Sequence, residues 1–418
     1  MLCKRDFLTT ALLVLAPQIL AYPPKNITEI QMNNPNLLAN GFHKQQVVAA
    51  LTTSHQELIL LPTEKCNFRC TYCYEDFELG KMSERTQHAL ELFIEKKIST
   101  LKSLRFSWFG GEPLAAKGVV LRLATFAKHL CEQNEVQCSG GLTTNGYVLD
   151  AKLARELILL KQNFFQITLD GWKEAHDELR KRADGKGTFD VIWRNLLSLK
   201  SLDLKFEVCV RVHVRRNNQE NLEVLMREYA KHFFNDARFY LDFQHLRDMG
   251  GEGGKSVEGV TRAELSPIEI RLRKVVIEEV HRLRAAVTDI DSLSTDATAE
   301  AEFILAKAAN AGESAGSERR SEQLAATPYI CYAAKANSLL VRSNGRLGKC
   351  TVAFDDERND IGFLSDDGRI VIDQDKLRPW LRGFETLNVD DTGCPLHDLP
   401  KLPSRYQALE DVRVRVVS

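Results

Sequence analysis

Residues 206–214, "FEVCVRVHV", restrict the fold of this chain sharply. In an extended strand, Phe206, Val208, Val210, Val212 and Val214 share one face, and Glu207, Cys209, Arg211 and His213 share the other. A doubly wound sheet is covered by helices on both sides and needs two apolar faces. A barrel strand can instead lay its apolar face under outer helices and turn a polar face inward, toward a site. "QITLDG" (166–171) repeats the pattern, with Gln166, Thr168 and Asp170 on one face and Ile167 and Leu169 on the other. Further strands are expected at 57–63, 104–110, 137–146, 164–171 and 237–244. Helical stretches alternate with them at Ser83 to about Thr100, 117–134, 150–162, 188–201 and 219–232. The fold class is α/β, a partial (β/α)6, TIM-like barrel with a polar, ligand-lined interior.

The barrel is assigned to 57–247. Residues 32–56 form a short N-terminal segment. Residues 248–328 form a linker with helices, opening on Gly-rich "MGGEGGKS" and continuing through helical stretches at 265–287 and 295–311 to a polar tract at 311–323. Residues 329–418 form a last unit. Residues 1–31 are set apart as a leader, with two cations, an apolar run broken by Pro17, and Met32 as an alternative start. That run is too short for an ordinary membrane span, and no later segment is apolar enough for one.

The 56 basic and 57 acidic residues leave a net charge of −1, so no global field is available to hold nucleic acid or an anionic membrane. The ten cysteines sit in a chain long enough to bury a real core, which speaks against a disulfide framework and for reduced thiols as metal ligands. Three of them fall within "KCNFRCTYCY": Cys66, Cys70 and Cys73, spaced C-x3-C-x2-C. Structural zinc usually takes four protein ligands in two pairs. Three thiolates on one loop suit a [4Fe–4S] cube with one iron left open. Zinc remains the alternative on spacing alone. The loop follows the first strand directly, at the end where α/β folds place their sites. The second strand ends in "FGGEP", where Gly110 and Gly111 permit close backbone approach and Glu112 offers a carboxylate. The third ends in "TTNG" with Thr144 and Asn145, and the fourth in "LDG".

With these motifs together, residues 57–247 closely resemble the radical S-adenosylmethionine superfamily. "LLPTEKCNFRCTYCYE", "FGGEPL", "TTNGYVL" and "TLDGWKEAHDELRKRADGKGTFD" are similar to its peptide- and protein-modifying subgroup, which includes anaerobic sulfatase-maturating enzymes. The resemblance implies that Cys66, Cys70 and Cys73 bind a [4Fe–4S] cluster whose open iron chelates S-adenosylmethionine. It implies that Gly110, Gly111 and Glu112 hold the methionine ammonium and that Tyr72 lies near the adenine. Thr144 or Asn145 would reach the ribose or carboxylate, and Arg180 would meet the methionine carboxylate. Arg211 and His213 face the interior, although relatives often carry asparagine at the position of His213. The implied reaction is reductive cleavage to a 5′-deoxyadenosyl radical, which abstracts hydrogen from the substrate.

"CYAAKANSLLVRSNGRLGKC" reads as a β-hairpin turning at Asn344–Gly345, which would bring Cys331 and Cys350 together. Its spacing resembles the opening of the SPASM or shorter twitch extension. Only Cys394, in "GCPLHD", is left of the further cysteines of a full extension. Two more cubes need about eight ligands, so one auxiliary [4Fe–4S] cluster at Cys331, Cys350 and Cys394 is expected, with zinc or no metal as the alternative. His397 stands where a C-x2-C partner would be. Cys209 is the candidate catalytic residue, a thiol hydrogen donor should the reaction be an epimerisation. The expected substrate is a peptide or protein, in the form of a ribosomal precursor peptide undergoing crosslinking or epimerisation. The alternatives are oxidation of a small molecule and sulfatase-maturase-like protein modification. A flavodoxin- or ferredoxin-type donor and a reducing cytoplasm complete the expectation.

Overall fold

A computed structural model describes residues 38–249, 253, 259–288 and 328–402. The expectations for residues 1–31, 295–311 and 311–323 lie outside the described residues, as does most of "MGGEGGKS". No helix among the described residues is long and apolar enough to cross a membrane.

Six parallel strands run in chain order across one sheet: β1 (His55–Leu60), β3 (Ser103–Trp108), β4 (Gln137–Thr144), β5 (Gln162–Leu169), β7 (Glu207–Val214) and β8 (Phe239–His245). Helices Glu84–Ile98, Lys117–Gln133, Ala151–Leu159, Phe189–Lys200 and Gln219–Phe233 connect them. This is the six-stranded partial barrel that the strand–helix rhythm predicts. The first helix begins where the cap chemistry requires, with the Ser83 hydroxyl accepting from Thr86 N at 3.1 Å. Val208, Val210, Val212 and Val214 pack into the main core, while Arg211 and His213 are only half-buried. The two faces of β7 therefore do the two jobs their residues suit.

Two features were not legible in the strand pattern. The first is a two-stranded antiparallel sheet of β2 (Phe68–Cys70) and β6 (Arg180–Arg182), with Cys70 opposite Arg180. Each strand has only three residues, too few for alternation to show. The second is the docking of the last unit. Strand β9 (Ser338–Val341) pairs parallel with β1, from Glu57↔Ser338 to Leu60↔Val341. β10 (Arg346–Gly348), β11 (Gly362–Leu364) and β12 (Ile370–Ile372) follow antiparallel, giving a ten-stranded sheet. The sequence reading drew a barrel and a separate unit, but their strands form one continuous sheet. An incomplete barrel leaves β1 with an unpaired edge, and β9 covers it. The expected turn is present: Gly345 has φ +83° and its N–H donates to Arg342 O at 2.9 Å.

Candidate active site

The loop that carries Cys66, Cys70 and Cys73 is held from three sides. β6 pairs with its middle. The second-strand glycines pack on its stem: a Cβ at Gly110 would lie 2.5 Å from Thr63 O, and one at Gly111 2.6 Å from Lys65 O. The close approach these glycines permit is thus to the chain's own backbone, and Glu112 N seals it by donating to Lys65 O at 3.1 Å. From the third side, a Cβ at Gly253 would meet Cys73 O at 2.7 Å.

The three thiols are half-buried and within Coulomb range of one another. Burial pushes Cys66 and Cys73 up to about 12, and the neighbouring thiols push them further the same way. Burial raises Cys70 too, against the pull of Arg180. Three such thiols become thiolates together only beside a strong positive charge, which a metal centre supplies. Among the described residues, no group of three or more His, Cys, Asp or Glu closes around a single metal ion.

Beside the loop lies a buried polar network centred on Asp170, just past β5. Its carboxylate accepts from Tyr72 Oη and, at 2.9 Å, from His213 Nδ1. Arg180 Nη1 donates to Tyr72 Oη at 2.5 Å and lies 3.8 Å from Asp170 Oδ2. Burial alone would raise the Asp170 carboxyl, but His213 and Arg180 outweigh it and hold the group below the usual carboxylate range. The Asp170 N–H donates to His176 Nδ1 at 3.3 Å, so His176 Nε2 carries the hydrogen toward Thr188 Oγ1 at 3.1 Å. Thr188 in turn donates to Arg180 O at 2.6 Å. The Nε–H of Arg180 is buried without a partner, an orphan donor on a guanidinium that faces the cysteine loop.

The remaining predicted residues divide. Glu112 is buried, and its carboxylate accepts from Leu114 N (2.9 Å), Thr144 Oγ1 (2.7 Å) and Asn145 N (2.7 Å). It therefore ties the second and third strand ends together. Asn145 Nδ2 bonds Asn67 Oδ1 at 2.7 Å and stands 4.0 Å from Cys66 Sγ. Arg211 is drawn away to Asp242 on β8, at 2.9 Å. Cys209 is buried beside Asp242 and Tyr240, and burial first, then Asp242, pushes its thiol up to about 12.

Cys331, Cys350 and Cys394 also converge. Cys350 feels the charge of both other thiols, and Cys331 feels that of Cys394, although Cys331 and Cys394 lie far apart in sequence. Cys331 N donates to Thr392 O at 2.9 Å, and Asn359 Oδ1 accepts from Cys350 N at 2.9 Å. Lys349, beside Cys350, is buried, with Nζ donating to Lys335 O (2.6 Å) and Ser338 O (2.5 Å), and burial lowers its ammonium to about 7. His397 is 81% exposed and lies 3.1 Å from Asp398. Two contacts join the triads. Arg342 grips Glu64 (Nη2–Oε2, 2.6 Å), and Tyr74 Oη donates to Thr351 O at 3.0 Å.

Sequence reasoning missed Asp170 as a hub, although its place on the polar face of β5 was visible. It missed Glu64, Arg342 and Tyr74 entirely, because their partners come from the far end of the chain.

Residues 60–228 match the model of the radical SAM superfamily. The chain thus contains a radical SAM domain, of the kind found in enzymes that use S-adenosylmethionine. Among particular relatives, it is 26% identical over 191 residues to a cysteine-type anaerobic sulfatase-maturating enzyme of Clostridium novyi, covering 44% of this chain and 50% of that one. It is 29% identical over 226 residues to a GTP 3′,8-cyclase of Clostridium perfringens, covering 53% and 64%. The chain thus spans about half to two thirds of the length of these two relatives. The solved structure of native anSMEcpe with bound AdoMet superposes with a TM-score of 0.50 at 17% identity, over 82% of this chain and 84% of that one. At that identity the likeness is one of fold.

Proposed function

We propose that this chain is a radical S-adenosylmethionine enzyme that modifies a peptide or protein, with a ribosomal precursor peptide as the substrate class. The carrying observation is the C-x3-C-x2-C thiol triad clamped by β6 beside the orphan Nε–H of Arg180. The donor set fits a [4Fe–4S] cluster: three thiolates on one loop can each take one iron and leave the fourth iron open. A cluster held by Cys66, Cys70 and Cys73 would supply the single electron for reductive cleavage of S-adenosylmethionine, and with it the means to abstract hydrogen from the substrate.

This chain's own residues have defined tasks. Cys66, Cys70 and Cys73 hold the cluster. Arg180 presents its free N–H to a carboxylate. Asp170 holds Arg180, Tyr72 and His213 in one arrangement, leaving His213 Nε2 free for a ribose hydroxyl. Glu112 fixes the strand-end backbone around the cofactor. Cys331, Cys350 and Cys394 hold a second cluster, with a flavodoxin- or ferredoxin-type protein as electron source. Cys209 is a poor hydrogen donor where it stands, hydrogen-bonded and buried, so an oxidative outcome such as a crosslink is favoured over epimerisation. The likeness to the sulfatase-maturating enzyme supports a protein or peptide substrate. The likeness to GTP 3′,8-cyclase favours a second reading, in which the substrate is a small molecule.

Protein reconstituted anaerobically with iron and sulfide, then given dithionite and S-adenosylmethionine, is expected to form 5′-deoxyadenosine. Absence of that product, with iron well below the cluster's four atoms per chain, would falsify the reading.

A further inference from the structure

A cavity of about 360 Å³ opens where the two thiol triads meet. Tyr74, Glu75 and Asp76, which follow Cys73, form one wall. Residues from Val352 to Asp356, which follow Cys350, form another, and Leu396, just past Cys394, closes a third. Its volume is at the small end of ligand sites, enough for one long side chain. The rings of Tyr74 and Phe354 lie 6.4 Å apart, tilted by 33°, and with Leu396 and Met249 they give it apolar flanks.

Its charge is one-sided. Glu75, Asp76, Asp355 and Asp356 line it, against Arg358 alone. Arg358 is bound to Asp356 at 2.6 Å and to Leu399 O, so that pair cancels. Arg342, which lies 5.1 Å from the Phe354 ring, is held by Glu64 at 2.6 Å. Asp76 and Asp355 stand exposed at the rim, and Glu75 is sunk in the wall. Among the described residues the Glu75 carboxylate has no hydrogen bond and no ion pair; carboxylates outnumber the one arginine in its surroundings. This half-buried polar side chain in a concave site has no hydrogen-bond partner among the described residues. Apolar flanks leading to carboxylates suit an aliphatic stem that ends in a cation, and the two rings favour a cation as well.

We propose that this cavity receives a cationic side chain of the substrate, a lysine or arginine, and thereby selects which residue of a peptide is presented between the two triads. This deepens the peptide reading above and rests on it for the source of the cation. An amine of a small molecule shares the chemistry and is separated in the experiment.

Saturation-transfer NMR on the full reconstituted chain, kept anaerobic, would use four probes: a capped pentapeptide with central lysine, its norleucine and glutamate analogues, and n-butylammonium. Transfer to the lysine methylenes is expected, several-fold weaker transfer to norleucine, and none to glutamate. Glu75→Gln and Asp355→Asn, each confirmed folded by its melting curve and iron content, are expected to shrink the lysine-over-norleucine preference. Equal transfer to lysine and norleucine, or a preference unchanged in both variants, overturns the inference. Butylammonium binding as well as the lysine peptide overturns the peptide as the source. Formation of 5′-deoxyadenosine is scored separately on the same sample. Selective binding without that product would remove the enzymatic reading and leave the cavity assignment standing.

Discussion

The two thiol triads are built on opposite principles. Cys66, Cys70 and Cys73 share one short loop, and the surrounding structure clamps that loop from outside. Cys331, Cys350 and Cys394 are spread over most of the last unit and meet only because a hairpin, the Asn359 side chain and the Thr392 carbonyl bring three segments together. The first triad is thus local in sequence and tertiary only in its support, whereas the second is tertiary throughout. A local triad tolerates disturbance elsewhere. A dispersed one reports on the integrity of every segment that carries it.

Cysteine removal tests this most strongly. Cys66→Ala is expected to reduce 5′-deoxyadenosine to background and to lower bound iron by about four atoms per chain. Cys331→Ala should lose a similar amount of iron yet still cleave S-adenosylmethionine. If both variants lose cleavage alike, the two sites are not separable. Next in size is the Glu64–Arg342 pair, nearly buried on the Glu64 side (3% and 18% exposed). Arg342→Met leaves a buried carboxylate unpaired and is expected to cost about 3–5 kcal/mol in chemical denaturation. Glu64→Gln with Arg342→Met should cost less than the single change. Iron at the second triad should fall first in the single variant.

The clamp of the first triad carries its own titration. Burial holds His176 down to about 4, against about 6.5 for the free residue. The folded value is below the unfolded one, so stability is complete above about pH 6.5 and declines as pH falls toward 4. Denaturation at pH 5 should show a loss of about 2 kcal/mol relative to pH 6.5, and His176→Gln should flatten that slope. The smallest effect is expected at the hairpin turn. Gly345→Ala places a Cβ at φ +83° and should cost about 1–2 kcal/mol, with iron lost from the second triad and none from the first. Equal loss at both would contradict their independence.

The barrel was legible because its signals are long and periodic. The alternation from Phe206 to Val214, the Ser83 cap and the Asn344–Gly345 turn each depend on neighbours a few residues away. The short pairing of Cys70 with Arg180 was not legible, because three-residue strands carry no period and their register is set by the loops between. In "HDELR" a four-residue helix stops at Asp177 and Arg180 begins a strand, a change too short for any period to mark. Glu112 was legible as a site residue by its motif, but its three donors were not, since Leu114 comes around a turn and Thr144 and Asn145 come from the end of the next strand. Glu64 and Arg342 were invisible for the plainest reason: only the folded chain makes them neighbours.

The pairing of β1 with β9 has a consequence for how the molecule is made. The Gln56 side chain bonds Asn337 O across 281 residues of sequence. The first strand of the barrel leaves the ribosome early and gains its second neighbour only after most of the chain has followed. At about 5–20 residues per second, that edge stays open for tens of seconds during synthesis. Such high contact order slows closure and leaves a template for mispairing. Iron delivered to the early loop in that interval would meet a half-finished sheet, and a product cut after the barrel would keep a sticky edge for life.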